Sequence, residues 1–191
     1  MLFRRLFYCL LTALLLQTTA SASYLENAKA REFIDEMRDK HNLNEAELKG
    51  LFKQVHRQDQ VIEAMSRPAE RVLRWKDYRP IFITDKRIAA GVKFWREHRE
   101  TLEQVQEIYG VPIPIIVSII GVETFFGHYK GKHPALASLA TLAFDYPPRS
   151  KFFRSELEHF LLLAKEESLD PLSVKGSYAA AMGMPQFISS S

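Results

Sequence analysis

The stretch Pro112-Ile113-Pro114-Ile115-Ile116-Val117-Ser118-Ile119-Ile120-Gly121-Val122-Glu123 decides the fold class. Two prolines open it, at positions where the first turn of a helix has amide donors to spare. From Ile115 to Val122 the run is apolar on every side, which predicts a centrally buried helix rather than one with a single apolar stripe. It ends on a carboxylate, Glu123, followed by Thr124-Phe125-Phe126-Gly127.

Helical spacing continues on both sides, and no segment alternates convincingly with period two. Upstream, Thr84 or Asp85 caps a long helix. Its Ile88, Val92, Trp95, Leu102, Val105 and Ile108 form one stripe, and Gly110 stops it. Residues 68–84 hold Trp75, Tyr78, Pro80, Ile81 and Phe82 without a period, and are expected to wrap the body as an extended segment pinned by its aromatics. A shorter helix surrounds Val61 to Met65. Asn44 with Glu47 makes a capping box before Leu48, Leu51, Phe52 and Val55. Ala30, Phe33, Ile34 and Met37 mark a helix within residues 25–42. Downstream, helices are predicted over 136–144 and 150–167. The latter starts at a Ser150 cap and buries Phe152, Phe153, Leu157, Phe160, Leu161 and Ala164. The fold class is all-α, in one domain.

The front of the chain reads as an export signal. Arg4 and Arg5 precede an apolar core from Leu6 to Leu16, and Ala20-Ser21-Ala22 offers a cleavage site. The core is shorter than the ~20 residues that span a bilayer. Cleavage after Ala22 leaves a periplasmic domain over 23–191 with no membrane anchor, expected to be a monomer. The one cysteine, Cys9, lies inside the apolar core, so the mature chain has no disulfide. Removing Arg4 and Arg5 from 26 basic residues, against 23 acidic ones, turns a net charge of +3 into +1. That balance gives no general argument for nucleic acid.

Chemistry concentrates at Glu123. A carboxylate ending an apolar helix among aromatics is expected to be partly desolvated, and such a group can act as a general acid. A cap or an ion pair within a helix bundle explains the same residue. Asp145, between Phe144 and Tyr146, is a second carboxylate or, by its Pro147-Pro148 neighbours, a turn former. His128 and His133 lack the paired spacing of a zinc site. Ser118 lacks a nucleophile elbow. The small residues of Gly176-Ser177-Tyr178-Ala179-Ala180-Ala181-Met182-Gly183 match no phosphate loop; they suit the close approach of a helix beneath a cleft.

At Tyr109-Gly110-Val111-Pro112, Ile119-Ile120-Gly121-Val122-Glu123-Thr124 and Leu139-Ala140-Thr141-Leu142-Ala143-Phe144 the chain resembles the lytic murein transglycosylase B family. Glu156-Leu157, Phe160-Leu161, Gly176-Ser177-Tyr178-Ala179, Ala181-Met182-Gly183 and Pro185-Gln186-Phe187 extend the likeness, in the family's order, over roughly residues 25–191. The resemblance implies a lysozyme-like helical domain that cleaves the bond between N-acetylmuramic acid and N-acetylglucosamine without water. The muramic acid's own C6 hydroxyl displaces the leaving sugar and leaves a 1,6-anhydro end. It implies Glu123 as the single catalytic acid/base, with the substrate's acetamido group supporting charge at C1, among the exceptions to two-carboxylate glycosidases. It also implies Ser177 and Gln186 as cleft residues near Glu123, and Arg149 as a contact to stem-peptide carboxylates. The partners are glycan strands and their stem peptides; no cofactor is implied.

Three departures stand out. Pro148 replaces the first of a pair of arginines, Ala180 stands at a glycine position, and Ile188-Ser189-Ser190-Ser191 ends the chain where the family continues through a calcium loop. The expectation is a transglycosylase domain missing a C-terminal portion, with no bound metal and impaired stability. A non-catalytic peptidoglycan-binding fragment and a hydrolytic muramidase using Asp145 as base are the competing readings.

Overall fold

A computed structural model describes residues 22–67 and 74–191. The expected export signal therefore lies outside the described residues, as does part of the segment expected to be extended. Nine α-helices stand among the described residues: α1 Ala28–His41, α2 Glu45–Gln54, α3 Asp59–Ser66, α4 Trp75–Phe82, α5 Asp85–Glu97, α6 Arg99–Tyr109, α7 Ile113–Thr124, α8 Ala135–Asp145 and α9 Ser150–Glu166. A two-residue antiparallel ladder, β1 His133–Pro134 with β2 Lys175–Gly176, pairs His133 with Gly176 and Pro134 with Lys175. The all-α expectation holds.

Local chemistry sets many of the helix ends. Asn27 and Asn44 each accept two amide hydrogen bonds at the starts of α1 and α2, and Thr84 accepts one from Arg87 at the start of α5. Pro112 and Pro114 open α7, and Gly110, at φ +69°, closes α6. Ser150 does something else: its hydroxyl donates to the Ala143 carbonyl at 2.7 Å, tying α9 to α8 and capping nothing.

The centrally buried helix is α8, not α7. Every residue from Ala135 to Phe144 is buried. Around it, Phe33, Met37, Phe52, Val61, Phe153 and Leu157 complete the main core. Alanines at 135, 137, 140 and 143 let neighbouring helices close in on all sides, whereas α7 carries bulky isoleucines and valines around its circumference. Accordingly α7 buries only one line, Ile113, Val117, Gly121 and Thr124, against Phe94 and Leu102. Its Ile115, Ile119 and Val122 are exposed.

Three further expectations change. The long helix from 85 breaks at His98 into α5 and α6, and Ile88, Val92 and Ile108 of its supposed stripe are exposed. Residues 75–82 form α4, whose aromatics stack on one another and bury nothing. Phe152 is exposed, with the Arg149 guanidinium 4.3 Å from its ring centroid. Among the described residues no single helix is long and apolar enough to cross a membrane; α6 and α7 reach that composition together, but bend by 116°.

Candidate active site

Glu123 sits in the last turn of α7. The backbone beyond it is strained: Phe125, Phe126 and Gly127 have φ of +50°, +60° and +86°. For a non-glycine residue the left-handed region costs about 1–2 kcal/mol. Neighbouring contacts hold the two phenylalanines there. The Arg87 guanidinium from α5 lies 5.2 Å from the Phe125 ring and 5.0 Å from the Phe82 ring, and Arg87 Nη1 donates to the Gly121 carbonyl at 2.6 Å. Phe126 fills the space left by Gly91 and Gly121; a Cβ on Gly121 would come within 2.7 Å of its ring.

The turn is joined to the segment that carries Ser177 and Gln186. The Thr124 hydroxyl is buried and donates to the Met184 carbonyl at 2.9 Å, while accepting the Gly127 N–H at 2.9 Å. Gln186 Nε2 donates to the carbonyls of Gly183 at 2.9 Å and Lys130 at 3.3 Å. Gly131, at φ +93°, lies so close to Gly176 that an added Cβ would fall 2.0 Å from its carbonyl carbon. Met182 and Phe187 exchange backbone hydrogen bonds of 2.8 and 3.1 Å and close a tight hairpin. The small residues at 176–183 do meet a close neighbour at Gly176, but it is the 127–131 loop and not the expected helix.

Within this junction the side chains depart from expectation. Glu123 is exposed, not partly desolvated, and forms no hydrogen bond or ion pair among the described residues. Ser177 Oγ accepts the Ala181 N–H at 3.0 Å, which leaves its hydroxyl proton uncommitted. Neither Ser177 nor Gln186 bonds to Glu123. Ala180, at φ +62° and buried, takes the left-handed conformation that a glycine would adopt freely. The left-handed backbone is a cost of this departure.

Asp145 is neither a turn former nor a free base. It closes α8 and accepts the Tyr24 hydroxyl at 2.5 Å, with Arg57 3.9 Å away. Burial first, and then this hydrogen bond, push the Tyr24 phenol well above its ordinary pKa. Arg149 is exposed at the α8–α9 connection and stacks on Phe152 and Phe153. No group of three His, Cys, Asp or Glu side chains among the described residues could hold a metal ion.

Cavity size does not locate the site. The larger cavity, about 800 Å³, lies between α2 and the end of α9 and contains none of these residues. A smaller apolar slot of about 260 Å³, between α4, α5 and α7, reaches Gly121, Val122 and Phe126 beside Glu123. The bracing roles of Thr124 and Arg87 carry no signal in the sequence: one looks like an ordinary helix-end residue, the other an ordinary surface cation. Exposed Tyr129, Tyr178 and Phe187 add aromatic surface on the loop and hairpin segments.

Comparison with known proteins gives the family and the fold. The transglycosylase SLT domain family matches residues 26–191. Membrane-bound lytic murein transglycosylase B of Escherichia coli is 42% identical over 177 residues, covering 88% of this chain and 49% of that protein. The crystal structure of soluble lytic transglycosylase SltB1 from Pseudomonas aeruginosa superposes with a TM-score of 0.83 at 55% identity, over 85% of this chain and 55% of that one. SltB3 from the same organism, solved with NAG-NAM-pentapeptide, superposes with a TM-score of 0.76 at 26% identity, over 85% and 43%. The chain spans about half the length of the relatives it matches.

Proposed function

The chain belongs to the transglycosylase SLT domain family, and from that footing we propose that it cleaves the MurNAc–GlcNAc bond of peptidoglycan in the periplasm, with Glu123 as the one acid/base. The observation that carries this reading is a single uncommitted carboxylate at a strained helix end, braced against the hairpin of Gln186, while Asp145 is engaged by Tyr24 and Arg57. A glycan strand laid over Glu123 shields its carboxyl from water, the condition in which a carboxyl retains a proton to give.

The chemistry then needs one group twice. Glu123 donates its proton to the glycosidic oxygen as the C1–O bond breaks, and the muramic acetamido oxygen supports the positive charge at C1. The Glu123 carboxylate next takes the proton of the C6 hydroxyl as that oxygen bonds to C1. No water is consumed. The free hydroxyl proton of Ser177 and the amide oxygen of Gln186 are suited to hold the acetamido group. Arg149, exposed and kept flat by its aromatic neighbours, offers a fork to a stem-peptide carboxylate. The SltB3 complex with NAG-NAM-pentapeptide supports this substrate class.

The products distinguish transfer from hydrolysis. Mass spectrometry of purified peptidoglycan digested by the chain is expected to show muramic ends about 18 Da, one water, lighter than reducing ends. Reducing ends as the main product would make the protein a muramidase, and glycan binding without cleavage would make it a binding fragment.

A further inference from the structure

Glu156 is 4% exposed on α9, and the catalytic reading makes no use of it. Its carboxylate receives both hydrogen bonds that one residue can donate: the Ser190 N–H at 3.1 Å and the Ser190 hydroxyl at 2.7 Å. No ion pair involves it among the described residues. Burying a carboxylate without a cation is costly, and a leucine on this face of α9 would pack at no such cost. The group is therefore best explained by what it holds.

Ser190 lies three residues beyond the Met182–Phe187 hairpin. That hairpin presents Gln186 and takes the Thr124 hydrogen bond through Met184. Its incoming strand is held by the Met182 bridge to Gly176, by the packing of Met182 and Met184, by Thr124 and by the Gln186 contact to Lys130, whereas Glu156 holds its outgoing strand. We infer that Glu156 is a positioning residue: by clamping Ser190 it fixes the 182–187 hairpin, and with it Gln186, against the turn that carries Glu123. Glu156 acts through Ser190 and touches no substrate. The inference rests on Glu123 being the acid/base, and its test separates the two.

Three variants of the chain decide it: Glu156→Ala, Glu156→Gln and Ser190→Ala. Alanine removes the acceptor of both Ser190 hydrogen bonds. Glutamine keeps an acceptor for the Ser190 N–H and turns its own amide toward the hydroxyl, which can accept as well as donate. Glu156→Ala is expected to release anhydro ends about tenfold more slowly, Ser190→Ala to fall between, and Glu156→Gln to restore at least half the unmodified rate. Amide exchange at Met182 and Phe187 should speed up about tenfold in Glu156→Ala, while the amides of Leu139 and Leu142 in α8 keep their protection. Affinity for an N-acetylglucosamine oligomer should follow the same order as the rates.

Unchanged exchange at Met182 and Phe187 in Glu156→Ala would overturn the clamp. So would equal acceleration in α8, which would mark a general loss of stability, or a glutamine variant as impaired as alanine. If the hairpin loosens as expected but Glu123→Gln still cleaves, or nothing cleaves, the clamp stands and the assignment of Glu123 falls.

Discussion

Tyr24 and Asp145, 121 residues apart, show what a single hydroxyl can carry in this chain. Their 2.5 Å hydrogen bond joins the start of the described chain to the end of the central helix. A hydrogen bond to a charged group contributes about 1.5–3 kcal/mol, so Tyr24→Phe is expected to lower unfolding free energy by that amount at pH 7. The sign of its pH dependence follows from the raised phenol. Below about pH 10 the phenol is protonated in both states and the contribution is complete. Above that, the unfolded chain ionises first and stability falls until the folded phenol follows. Urea unfolding at pH 7 and pH 11 should therefore show the gap between the two proteins narrowing by about 1 kcal/mol; a constant gap would count against the reading. At this scale Glu123 was legible as the lone charge ending an apolar run. Ser177, Gln186 and Arg149 were reachable only through resemblance. The roles of Thr124, Arg87 and Glu156 were not legible, although Thr124 and Glu156 stand in the resembling stretches, because they arise from partners distant in sequence: Met184, Phe125 and Ser190.

Among the helices, α7 and α8 test how far periodicity reaches. Both are apolar, and only packing distinguishes them: alanines admit neighbours to α8, while branched side chains keep α7 at the surface. Leu142→Ala, at a fully buried position, is expected to cost about 2–5 kcal/mol by leaving a cavity. Ile119→Ala, at a position 49% exposed, should stay within about 0.5 kcal/mol. Chemical denaturation of both variants checks this, and equal losses would return α7 to the centre. Caps were legible because they are local: Asn44, Thr84, Pro112 and Gly110 all act within four residues. The break at His98 was not, since no Gly or Pro marks it. A straight helix would hold Phe94 and Leu102 ~12 Å apart along its axis; the break turns both onto Ile113 and Val117. Helix α4 was missed because it buries nothing that could impose a period.

For the molecule as a whole, two cores meet at the candidate site. The larger surrounds α8, and the smaller joins α5, α6 and α7; Met184 of the hairpin packs on the smaller core, and Met182 on the larger. Exposed Ile88, Val92 and Val122 line the apolar slot beside the Glu123 turn. The proposed chemistry nevertheless rests on one carboxyl group. Its most direct test measures the release of anhydro-muramic ends from peptidoglycan by the unmodified chain and by Glu123→Gln, with glycan binding measured alongside. Gln keeps the shape but can neither give nor take the proton. The predicted result is release by the unmodified chain and a loss of about 10²–10⁴-fold or more in the variant, with binding preserved. Equal release by both proteins, or release of reducing ends alone, would contradict it.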